Sequence, residues 1–213
     1  MARTDAQNEQ MRETRKEKIR QAALMQFSQK GLFATRIEDI AKGANMSQGL
    51  LYHYYPSKEA IYIDLVGNAL EKMSEAAAYV RDMDASANEK ILFALRELFQ
   101  TIQTSDHFRQ TSRLISQAAS ATEILPEEQA MLDEKRERPY ATMAEVFRAG
   151  QAEGSVVAGD PHALAILFFV SVNGLCVYYA ARKEPYTLPD YRLLAALFLK
   201  NTHTKETSEE VSQ

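Results

Sequence analysis

The chain of 213 residues has no tryptophan and a single cysteine, Cys176. One cysteine closes no disulfide within the chain and suits a reducing compartment, so packing must hold the fold. Glycine and proline are scarce, at 8 and 6, too few for an architecture of many short strands and tight turns. The first residues, MARTDAQNEQMRETRKEK, contain no apolar core, and no secretory leader is expected. Enzyme signatures are missing too: there is no Gly loop ending in Lys-Ser/Thr, no GxGxxG and no HExxH. The four histidines (His53, His107, His162 and His203) are scattered, and neither a catalytic constellation nor a metal or cofactor site is expected. What remains is ordinary for a folded protein, 46% apolar and 25% charged, which excludes disordered and collagen-like chains.

The net charge of −4 would argue against a nucleic-acid partner if it were evenly spread. It is not. Residues 1–58 hold 10 Lys and Arg against 6 Asp and Glu, leaving 15 against 23 for the rest. A basic start on an acidic remainder is a weak pointer to DNA or a membrane.

Nearly every long stretch has the periodicity of a helix. Ile19, Ala22, Ala23 and Phe27 share one face of a helix over about 14–30, and Gly31 is its stop signal. Thr35 and Glu38 stand at capping-box spacing, Ser47 is placed to cap a second short helix, and Ser57 a long one. Further helices are expected over about 58–82, 87–104, 107–120, 126–152, 161–183 and 189–200. Pro126, Pro161 and Pro189 each sit in a first turn beside acidic residues. An all-α fold follows, with a polar tail over 201–213 expected to be disordered.

The segment TRIEDIAKGANMSQGLLYHYYPSK, residues 35–58, carries the functional signal. A helix-turn-helix needs a small residue where its helices cross, a left-handed turn residue and apolar anchors on both helices. Ala41 is small, Asn45 takes the turn, and Ile40, Ala44, Met46, Leu51 and Tyr54 fall at buried spacing. Ser47, Gln48, Gly49, Tyr52 and His53 then face outward, a surface of donors, acceptors and a glycine suited to the major groove.

With these residues in hand, the run from Arg15 to Val66 resembles the DNA-binding domain of TetR-type bacterial transcriptional regulators. The resemblance rests on Ala22-Ala23, Phe27, Gly31, Thr35, Ile40-Ala41, Ala44, Met46-Ser47, Gly49 and the run Leu51 to Glu59. Asn45 departs from the family's usual Gly, and Tyr55 from its common Phe. The resemblance implies phosphate contacts by Thr35 and Lys58 and base contacts by Gln48, Gly49 and Leu50. Tyr52, His53 and Tyr54 would meet phosphates or thymine methyls, and Arg15, Lys16 and Lys18 would lie near the duplex. Read without it, Ile40, Leu51 and Tyr54 are core, and the three basic residues are the wet face of a helix.

The run PHALAILFFVSVNGLCVYYAA, residues 161–181, carries no formal charge. It is long enough to span a bilayer, but His162, Ser171, Asn173 and the polar remainder (mean hydropathy −0.35) favour a helix covered by a partner subunit. A homodimer through about 161–183 and 189–200 is therefore expected, as the family resemblance also implies. Cys176 in that helix reads as a buried structural thiol. Phe168 is a candidate wall of an effector pocket, and His107, Arg113, Tyr140, Asn173 and Tyr178 its candidate polar handles. The expected organisation is a DNA-binding domain over 1–60 and an effector-binding and dimerisation domain over 61–200. The expected function is a cytoplasmic, ligand-responsive regulator that represses by binding a near-palindromic double-stranded DNA operator. A helical enzyme or carrier and a membrane-anchored regulator are the alternatives.

Overall fold

The computed structural model describes residues 5–118, 124–181 and 187–200. Its helices are α1 (Asp5–Ala34), α2 (Ile37–Gly43), α3 (Gln48–Tyr54), α4 (Lys58–Asp82), α5 (Ala87–Thr104), α6 (Asp106–Ala118), α7 (Pro126–Ala152), α8 (Pro161–Ala180) and α9 (Tyr191–Ala195). The all-α class expected from the sequence is what the chain adopts. Among the described residues the one extended pairing is an isolated antiparallel bridge between Val156 and Leu199.

Contacts divide the chain into two compact units that are not consecutive stretches. The first comprises 1–71 and 110–135, the second 72–109 and 136–213. The division falls inside α4 and α7, and near the start of α6.

In the first unit Ile19, Ala23, Phe27, Ile40, Leu51, Ile61, Val66, Leu70, Leu114 and Leu132 are buried together. Fully burying one such side chain contributes about 1.5–3 kcal/mol, so this cluster holds α1 to α3 and the start of α4 as one body. Phe27 meets Tyr62 edge-on at 5.3 Å. In the second unit α5, α8 and α9 supply Ile91, Leu95, Phe168, Val172 and Leu194 to a separate cluster, with Phe147 from α7 and Phe198 from the segment after α9.

Several expected elements differ in extent. α1 starts at Asp5 rather than near Thr14, because charged residues with good helix propensity continue the helix without an apolar stripe. Its regular part ends at Gly31, whose φ of 75° is the break the sequence pointed to. The Thr35–Glu38 capping box does not form. The N-cap of α2 is Arg36, which makes no side-chain cap, and the Thr35 hydroxyl donates to the Gly31 carbonyl at 2.7 Å. A full capping box appears instead on α5, between Ser86 and Glu89. Ser47 and Ser57 cap as expected, accepting from the Leu50 and Ala60 amides at 3.2 and 3.1 Å. The expected helix over 189–200 shortens to Tyr191–Ala195. Beyond it the Val157 amide donates to Phe198 O and the Lys200 amide to Ser155 O, at 2.9 and 2.8 Å, so the chain pairs with the α7–α8 loop instead of coiling on. The ends expected for the sixth and eighth helices, at 120 and 183, and the tail over 201–213 lie outside the described residues.

Candidate nucleic-acid interface

The α2–α3 pair is built as the spacing demands. Ile40 and Ala41 are buried on α2 and Leu51 on α3. Between the helices the Met46 amide donates to Ala41 O at 2.9 Å and the Asn45 amide to Lys42 O at 3.1 Å. Asn45 sits at φ 55°, the left-handed conformation that asparagine tolerates best after glycine. Gly43, which carries no expectation from the sequence, lets α2 approach α1: a Cβ there would lie 3.1 Å from that of Ala22.

With Leu51 facing inward, Ser47, Gln48, Gly49, Leu50, Tyr52 and His53 are all exposed on one short element. Tyr52 is half exposed, at 50%. Among the described residues nothing beyond its own helix backbone lies within 4 Å of where a Cβ on Gly49 would be, and its φ is not positive. The fold itself therefore does not require glycine at 49.

Tyr54, expected both as core and as a contact, is half-buried, and its hydroxyl accepts from Arg15 Nη1 at 2.9 Å. The fully packed tyrosine is its neighbour Tyr55. Its hydroxyl donates to Asp64 on α4, which also accepts from Arg20 on α1 at 3.2 Å. Burial, reinforced by the Asp64 carboxylate, pushes the Tyr55 phenol well above its ordinary range. Burial of Arg20 works against its charge, but Glu13, Glu17 and Asp64 outweigh it and hold the guanidinium protonated. Lys16 lies 5.5 Å from the centre of the Tyr55 ring, and Lys18 is exposed. One hint of this network is legible in the sequence: tyrosine stands at 55 where the resembling family commonly has phenylalanine.

Thr35 and Lys58 are placed unlike the exposed residues of α3. Thr35 is 2% exposed. Lys58 Nζ donates to the carbonyls of Leu32, Phe33 and Thr35 at 2.9, 2.9 and 3.1 Å.

The six effector candidates fall in different surroundings. Arg113 belongs to the first unit and the other five to the second. Phe168 is packed shut against Phe147, Phe169 and Phe198, with ring centres 6.2, 5.3 and 6.0 Å away. Tyr140 joins that cluster through Phe169 at 4.8 Å, and burial raises its phenol pKa. Asn173 is half-buried, whereas His107 and Tyr178 are exposed. An open cleft of about 550 Å³ lies within the first unit between α4 and α7, lined by Ile63, Asp64, Asn68, Glu71, Met131 and Lys135 among others. None of the six lines it. No group of three or more His, Cys, Asp or Glu among the described residues is placed to hold a metal.

A buried small-residue crossing, a left-handed turn and an exposed second helix define a helix-turn-helix protein. Residues 19–65 match the bacterial regulatory proteins of the tetR family, and the chain carries that family's N-terminal domain. The regulator RutR of Escherichia coli K12 is 33% identical over 128 residues, 57% of this chain and 58% of RutR. The transcriptional repressor KstR2 of Mycobacterium tuberculosis H37Rv is 32% identical over 90 residues, 42% of this chain and 45% of KstR2. The matches thus span about half the length of these relatives. The crystal structure of AibR, in complex with isovaleryl coenzyme A and operator DNA, has the same fold at TM-score 0.66. It is 18% identical and the match covers 85% of this chain and 94% of AibR.

Proposed function

We propose that the chain is a ligand-responsive transcriptional regulator that binds a near-palindromic operator as a homodimer, with repression relieved by a small molecule. The observation that carries this reading is the exposed face of α3, Gln48 to His53, held by a buried Leu51 inside a tetR-type domain. Gln48 suits a bidentate pair with adenine. Gly49, which no contact within the protein explains, suits close approach to a base edge. Residues 1–60 serve DNA binding in this reading, and 61–200 effector binding and dimerisation.

A partner subunit suits one side of α8 and α9. Ile166, Leu167, Val170, Val177 and Tyr178 are exposed at helical spacing, while Leu164, Phe168, Val172 and Cys176 on the other side are buried. Leu193 and Leu197, 68% and 63% exposed, extend the same apolar character. α8 is also long and apolar enough to cross a membrane, but its inner side packs into a protein core, which favours a protein partner over lipid. RutR and KstR2 are named as regulators rather than enzymes. The AibR complex, a related fold holding both an acyl coenzyme A and DNA, supports control by an effector. α4 runs unbroken from the first unit into the second and is the element through which an effector would act on α3, with a coupling of about 1–3 kcal/mol. The cytoplasm is the expected site of action.

The test is selection of genomic fragments by the purified protein, repeated with candidate small molecules. Enrichment of a near-palindrome with half-sites about one helical turn apart is the expected result. Binding that neither enriches a sequence nor weakens with salt would overturn the reading.

A further inference from the structure

The last four carbonyls of a helix have no partner within it. At the end of α1 three of them, with the carbonyl of Thr35 in the turn beyond, are met by two side chains. The Thr35 hydroxyl takes Gly31 O at 2.7 Å. Lys58, the first residue of α4, takes Leu32, Phe33 and Thr35 O at 2.9, 2.9 and 3.1 Å. An ammonium has three N–H donors, so all three are engaged and none is left for a phosphate. These are the two residues to which the family resemblance gives phosphate contacts.

We infer that in this chain Lys58 and Thr35 are positioning residues, which staple the α1–α2 turn to the start of α4 and so set the angle at which α2 and α3 meet DNA. The inference rests on the DNA-binding reading above. The turn leads directly into α2, whose Ala41 carbonyl holds the Met46 amide before α3 at 2.9 Å. Loosening the staple therefore tilts the reading helix without removing any charge that faces the duplex. Lysine suits this place because its single point ammonium meets three converging carbonyls. The flat fork of arginine does not.

A phosphate contact and a staple have different signatures. Binding is measured across a salt series to an arbitrary-sequence duplex and to a duplex enriched by selection with the unaltered protein, for wild type, Lys58→Met, Lys58→Arg and Thr35→Val. A lost phosphate contact makes the slope of log K on log salt shallower by about 0.9, with Lys58→Arg behaving as wild type. The staple instead predicts that all three variants keep the wild-type slope on the arbitrary duplex. Their preference for the enriched duplex falls about tenfold, a change of about 1.4 kcal/mol. A Lys58→Met too unstable to measure leaves Lys58→Arg and Thr35→Val to decide by the same criteria. A shallower slope in Lys58→Met with Lys58→Arg intact, or unchanged preference in Lys58→Arg and Thr35→Val, would overturn the inference. Wild-type protein that binds neither duplex would overturn the DNA-binding reading, and this inference with it.

Discussion

At Gly150 on α7 the fold has no room for one more carbon. A Cβ there would meet Val156 Cγ2 at 2.3 Å and Ala87 Cβ at 2.9 Å. Valine is stiff at χ1 and cannot swing away cheaply. Gly150→Ala should therefore lower stability by about 1–3 kcal/mol, seen as a depressed melting temperature. A melting curve unchanged from wild type would show that α7 and the following loop can separate. Tyr55 makes the opposite kind of argument, from a polar atom that must be satisfied. Tyr55→Phe removes its hydrogen bond to Asp64 and should cost about 1.5–3 kcal/mol at neutral pH. Its phenol is raised in the folded state, so above the ordinary tyrosine value the unfolded chain loses its proton first. The folded state then binds more protons, and stability falls as pH climbs past about 10. Stability from this source is complete below that pH. Tyr55→Phe should accordingly lose less stability than wild type between neutral and strongly alkaline conditions in urea titrations. These two residues also differ in legibility. Tyr55 differs visibly from the phenylalanine common in the resembling family, whereas nothing local to Gly150 reveals that Val156 and Ala87 will converge on it.

Among the elements, those with strong local punctuation were readable and those defined by distant pairing were not. Ser47 and Ser57 cap where their positions in sequence place them, and Gly31 and Asn45 take the positive φ their types favour. The Thr35–Glu38 spacing matched a capping box equally well, yet the Thr35 hydroxyl was claimed by Gly31 O. The end of α9 was lost to hydrogen bonds with residues 155–157, a pairing that no window of sequence contains. Lys58 shows the same limit at the site. Its charge and position were plain, but its three carbonyl partners come from residues 23–26 positions away. The exposed face of α3 followed from one buried residue, Leu51, and helical geometry. On that element Gln48→Ala should relax preference at particular base pairs by about 1–3 kcal/mol. It should leave binding to arbitrary DNA nearly unchanged. Competition assays with singly substituted operators measure this, and uniform weakening across all sequences would exclude base reading by Gln48.

For the molecule as a whole the opening charge balance acquires a physical meaning. The basic excess lies in the residues that build α1 to α3, and the acidic excess in the rest of the chain. A single α3 offers one short reading surface, while two related by a two-fold axis read a palindrome and double the contacts. The exposed apolar side of α8, α9 and the turn after α9 is where that axis is proposed to pass. Leu193, Leu197 and Val170 stand 68%, 63% and 57% exposed there. None of the three belongs to the buried cluster beneath, so charging them spares the fold of one subunit. Val170→Glu with Leu197→Glu should thus yield a folded chain that sediments at 24.0 kDa, where the wild type is expected at twice that mass. Its helical circular dichroism should match wild type, and its affinity for a palindromic operator should fall at least about a hundredfold as one half-site's contacts are lost. A variant that still sediments as a dimer would place the two-fold axis elsewhere. One that turns monomeric yet binds the palindrome undiminished would break the link between dimerisation and reading.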